Sequence, residues 1–210
     1  MEVTFEKERV NNFTDAVFAI AMTLLILEVP IPNYKSLQAL GFLGAINAIY
    51  LDLLGYAVSF LVTGLYWNAH MKFSRYITSY SERLFRANLL LLLFIVLIPF
   101  STGLFFKNFS FGPFIWYAGN LTMVSLLTIR CAAVGRKSGL IEKNVTASYL
   151  NWVSNRLWGT VLVWGIVMFV AQFSMSVARF LPLLMIPLLA YLDSTYKRTH
   201  HKKVPIANPE

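Results

Sequence analysis

The residues able to do chemistry in this chain gather near its start. Arg9, Asn11, Asn12, Thr14 and Asp15 open an apolar run, and Thr23 falls in the middle of it. Polar side chains inside an apolar helix are costly unless they face protein or water, so they mark packing or a conducting path. Ile20, Thr23 and Leu27 are spaced three and four apart, which places them on one stripe of an α-helix, and Phe13 and Ala16 continue that stripe. The stripe admits two readings. Ile20 and Leu27 are ordinary packing or lipid-facing residues and the Thr23 hydroxyl bonds back to its own helix, or the three form successive collars, with apolar rings that close a path by dewetting. Arg9, Asp15 and, further on, His70 form a second group. It suits a clamp between helices, the paired burial of charge, better than a proton relay. Glu28 and Asp52 lie toward the opposite end, where carboxylates concentrate cations, although Glu28 sits about 100° off the stripe.

Only membrane helices can position these groups. The chain is 57% hydrophobic and 13% charged, against roughly 25% charged in an average soluble domain. The surplus is concentrated in runs long enough, at about 1.5 Å per residue, to approach or reach a bilayer core of ~30 Å. Spans are predicted at Phe13–Val29, Phe42–Trp67, Leu84–Phe106, Phe114–Val134, Leu157–Phe173 and Val177–Leu192. The expected fold is all-α: one polytopic domain of six transmembrane helices over 1–210, with a basic tail from about 196 to 210.

Six spans place both termini on one side. That side holds fifteen of the eighteen Lys and Arg residues, leaving only Lys35, Lys107 and Arg179 on the other. The bias predicts cytoplasmic termini. The opening Met1 to Glu6 lacks the pattern of a secretory signal, so the first span is expected to remain in the mature protein. The tail Tyr196 to Lys203 reads as a stop-transfer flank more simply than as a patch for anionic lipid. His200 and His201 have no evident partners for a metal site.

Several functions lose support. A net charge of +8 without a basic patch on a soluble module gives no reason to expect nucleic acid. Cys131 is the single cysteine, which excludes an intrachain disulfide and reads as small apolar filler. Neither a nucleophile elbow nor a His-Glu-x-x-His pair points to an enzyme. No span repeats Arg or Lys at every third position as a voltage sensor does. A Thr-Val-Gly-Tyr-Gly filter is also missing. A proton-coupled secondary transporter is the main alternative, although neither an internal repeat nor a broken helix is visible in the sequence.

With Arg9, Phe13, Thr14 and Asp15 the first span resembles the transmembrane protein 175 family of potassium channels, whose signature is Arg-x-x-x-Phe-Ser-Asp; Thr14 keeps the hydroxyl of the Ser. The resemblance extends to Trp67 and His70 at the end of the second helix, and to Asn88 and Pro99-Phe100-Ser101-Thr102 in the third. It implies a pore lined by the first helix, with its constriction at Ile20 and further pore-facing positions at Thr23 and Leu27. The motif residues Arg9, Phe13, Thr14, Asp15, Trp67 and His70 are implied to support helix packing around it. Single-repeat members are prokaryotic and tetrameric. The resemblance therefore implies a homotetramer around a central pore in a prokaryotic plasma membrane. It implies no cofactor and no metal beyond transient potassium near Thr23; the partners are further copies of the chain, membrane lipids and the permeant ion.

Overall fold

A computed structural model of the chain describes residues 4–108, 110–142, 145–178 and 180–201. A short strand β1 (Thr4–Phe5) leads into α1 (Lys7–Leu24), which tightens into a 3-10 turn at Leu25–Glu28. Then come α2 (Tyr34–Ala48), α3 (Tyr50–Ser74), β2 (Tyr80–Ser81), α4 (Glu82–Lys107), α5 (Phe111–Lys137) and α6 (Ala147–Ala171). A four-residue α7 (Met175–Ala178), a 3-10 turn (Leu181–Leu184) and α8 (Met185–His201) complete the described chain. Among the described residues, six segments are long and apolar enough to cross a membrane, as the hydropathy predicts.

Boundaries and continuity differ from the sequence reading. The second span runs from Tyr34 to Ser74, longer at both ends than Phe42–Trp67, and is interrupted at Ile49 (φ −108°, ψ 12°) between α2 and α3. Inside α2, Gly41 takes φ 68°, a left-handed conformation that costs glycine little and other residues more. The last span is interrupted between α7 and α8, where Pro182 lies in the 3-10 turn and supplies no backbone N–H. The expectation of unbroken spans is therefore corrected at two places. The tail expected over 196–210 is described only as far as His201, with the side chains of 197–201 outside the described residues, as are Lys143, Arg179, Lys202 and Lys203.

The α4–α5 pair is the centre of the bundle, with α1 and α3 against α4 and α6 against α5. Leu91, Ile95 and Ile98 of α4, Leu121 and Val124 of α5, Val62 of α3 and Trp164 of α6 are buried in one cluster. Because lipid tails are as apolar as these side chains, close packing and interhelical hydrogen bonds must hold such helices together. Those bonds run along α3, where Ser59, Thr63, Tyr66, His70 and Ser74 are all buried on one face. The Ser59 hydroxyl lies 3.0 Å from that of Tyr117 and 2.9 Å from that of Thr102, while Trp164 Nε1 donates to the Tyr66 hydroxyl at 2.7 Å.

The connections fold together at one end. β1 pairs antiparallel with β2, Thr4 opposite Ser81, and Ile77 bridges to Ile141. Ser81 accepts from the backbone N–H of Leu84 at 3.4 Å and so caps α4. At the same end Lys72 meets Asp193, tying α8 to the end of α3.

Candidate functional site

α1 has two faces of opposite environment. Val10, Thr14, Phe18 and Ala21, with Leu25 just beyond, are buried, spaced so as to share one side of the helix. On the other side Phe13 is 51% exposed, Ile20 57% and Leu27 73%. Ala16, Ala19 and Thr23 are also exposed there. The fold of the chain leaves bare the stripe that periodicity picks out. Leu27, however, stands on the 3-10 turn beyond α1, so its direction does not follow from α-helical spacing alone. The Thr23 hydroxyl donates to the Ile20 carbonyl at 2.9 Å. This is the local bond expected of Thr in a membrane helix, and it leaves the oxygen's acceptor capacity free on the exposed side.

The buried face is fastened by the motif residues. Asn88 of α4 donates from Nδ2 to the Thr14 hydroxyl at 2.8 Å, with both residues buried. Trp67 of α3 donates from Nε1 to Asp15 Oδ1 at 2.9 Å. His70, one turn further along α3, is 2% exposed and makes no hydrogen bond through either ring nitrogen; its neighbours include the rings of Phe18 and Phe73. Arg9 is exposed and borders a cleft with Phe13, Phe85 and Leu89, apart from the Asp15–Trp67 bond. The structure thus brings Thr14 and Asp15 into interhelical bonds, places His70 beside them in the core, and leaves Arg9 and Phe13 on the bare side.

Several fastenings escape sequence reasoning. Tyr80 donates to Asn11 Oδ1 at 2.8 Å, and burial pushes its phenol above the ordinary tyrosine range. Lys7 donates to the Arg75 carbonyl at 2.8 Å. At the opposite end Glu28 pairs with Lys107 at 2.8 Å, and the Glu28 carboxylate lies against Gly103, where a Cβ would overlap it. Asp193 of α8 takes both Lys72 at 3.0 Å and the nearly buried Arg156. A signal for that last group exists in the sequence, since Asp193 is the single acidic residue between Glu142 and Glu210. Among the described residues no cluster of three or more His, Cys, Asp or Glu side chains is placed to hold a metal ion. What this side of α1 offers chemically is a bare row of apolar groups interrupted by the Thr23 hydroxyl.

The comparisons with known proteins bear on the same part of the chain. A family described as "Endosomal/lysosomal potassium channel TMEM175" matches residues 9–99, from Arg9 of the motif to Pro99 in α4. A potassium channel of Streptomyces collinus is 37% identical over 99 residues, 47% of this chain and 47% of that one. A potassium channel of Chamaesiphon minutus is 31% identical over 99 residues, 47% of this chain and 49% of that one. The match therefore spans about half the length of these relatives. The crystal structure of a lysosomal potassium-selective channel TMEM175 homolog from Chamaesiphon minutus superposes with a TM-score of 0.77 at 19% identity, covering 90% of this chain and 97% of that one. That likeness shows the fold. Over residues 9–99 the chain is similar in sequence to the TMEM175 family, and over most of its length it shares the fold of that solved homolog.

Proposed function

We propose that this chain is one subunit of a potassium-permeable cation channel whose central path is lined by the first helices of four copies. The observation that carries the reading is the bare stripe of α1. Phe13, Ala16, Ile20 and Thr23 recur at alternating steps of three and four, the seam by which helices supercoil about an axis, and the exposed Leu27 follows on the 3-10 turn beyond. The same side carries Arg9 and Asn12 at one end and a hydroxyl in mid-span, groups that lipid would disfavour and a wet path or a neighbouring subunit would accept. In a symmetric assembly the three positions become collars: Ile20 the narrowest, Thr23 a ring of hydroxyls where potassium pauses, Leu27 a second apolar ring. The termini lie in the cytoplasm, as the charge bias supports, and the bacterial relatives support a prokaryotic plasma membrane. The chemistry is conduction rather than catalysis.

Recordings of purified protein in bilayers, with potassium and sodium opposed, test this. Ile20→Asn eases wetting of the narrowest collar and raises basal current several-fold. Thr23→Ala shifts the reversal potential toward lower potassium preference without closing the path. If neither conductance nor reversal potential moves, the first helix does not line the path. The interrupted second and last spans favour one other reading, a proton-coupled transporter, because broken helices are a habit of that class. Potassium flux that persists down its gradient with the proton gradient collapsed rules that reading out.

A further inference from the structure

We propose that the cleft between the first turns of α4 and the last turns of α5 binds the phosphate headgroup of an anionic phospholipid through Arg83, Arg86 and Arg130. The cleft is lined by these arginines together with Ala87, Leu90 and Val134. All three arginines are exposed. Arg86 reaches Glu82 at 3.3 Å, but both side chains are more than half exposed (67% and 55%), so the pair contributes little. Neither Arg83 nor Arg130 makes a hydrogen bond or ion pair among the described residues, which leaves three guanidinium groups facing one carboxylate.

Helix stability does not explain this placement. Arg83 and Arg86 stand in the first turns of α4, where the helix dipole disfavours cations and favours an anion. A phosphate in the cleft would meet the arginine forks, whose planar donors match its oxygens two at a time. The depth also fits. α4 has 26 residues and α5 has 27, which at about 1.5 Å per residue is close to 40 Å and exceeds a hydrocarbon core of ~30 Å. Their ends therefore stand in the headgroup layer, where basic pockets between spans take anionic lipids. Ala87, Leu90 and Val134 supply an apolar wall for an acyl chain. This site lies away from the bare stripe of α1, and its test does not depend on conduction.

Native mass spectrometry in neutral detergent, titrating phosphatidylglycerol, phosphatidylcholine and free glycerol phosphate, is the direct test. Phosphatidylglycerol should bind about tenfold more tightly than phosphatidylcholine or glycerol phosphate, and R83Q/R86Q/R130Q should remove that advantage. R136Q/K137Q, which deletes two charges from the same end of α5, should leave affinity within about twofold. Should the triple variant fail to fold, single R130Q should lose about fivefold and R130K less. The site is overturned if R136Q/K137Q weakens binding as much as the triple variant, if R130Q binds like the unaltered protein, or if phosphatidylcholine binds equally well. Glycerol phosphate binding as tightly as the lipid would mean a free phosphate occupies the cleft, and the assignment to lipid fails.

Discussion

Asn88 donates to the Thr14 hydroxyl at 2.8 Å in the interior of the bundle, and this single bond between α4 and α1 helps decide which side of the first helix is left bare. Thr14→Val keeps the shape but leaves the Asn88 amide unpaired, and Asn88 Oδ1 already lacks a partner. A loss of about 1–3 kcal/mol is expected, read as a lower midpoint of thermal unfolding in detergent. Thr14→Ser should restore most of it. A Thr14→Val protein as stable as the original would show that the bond does not hold the helix.

The bond from Trp67 to Asp15 makes a sharper claim, because the indole N–H is the only polar group that Trp67 offers. Trp67→Phe and Asp15→Asn should each cost about 1.5–3 kcal/mol, and the double variant should cost clearly less than their sum. If the proposed tetramer forms through α1, both should lower its yield on size exclusion, since α1 would no longer be held at a fixed rotation. Strict additivity would mean that the two residues act separately.

Gly103 gives α1 its outer seat. A methyl group there would overlap the Glu28 carboxylate, which is held by Lys107. Gly103→Ala should therefore push the Glu28 carboxylate aside, at a cost of about 1 kcal/mol or less because it ends a flexible, partly exposed side chain. Glu28→Ala, added in the same chain, should recover part of that loss by vacating the space. Chemical denaturation of the three variants decides it: a double variant weaker than Gly103→Ala alone places the clash elsewhere.

Asp193 faces two cations of unequal burial. The Arg156 side chain is 5% exposed and that of Lys72 31%. Asp193→Asn leaves a buried guanidinium without its counter-charge, a loss of about 3–5 kcal/mol, whereas Lys72→Met removes a partly exposed partner and should cost about 1 kcal/mol or less. Thermal unfolding should rank the two in that order, and the reverse ranking would mean that Arg156 finds its compensation elsewhere.

Much of this architecture is legible in the chain itself. The spans follow from runs of apolar residues, a local property that no packing can reverse, because backbone in hydrocarbon must close its own hydrogen bonds. The stripe of Ile20 and Thr23 follows from spacing alone, as does the need of Thr14 and Asp15 for partners. Tertiary structure decided who those partners are. Asp15 bonds Trp67 while Arg9 stays on the bare side; Glu28, a candidate for the mouth of a path, is engaged by Lys107; and the second span breaks at Ile49, where composition suggests nothing. Periodicity fixes directions around one helix axis. It leaves open the depth and rotation of that helix against its neighbours, and a hydrogen bond of about 3 Å depends on both.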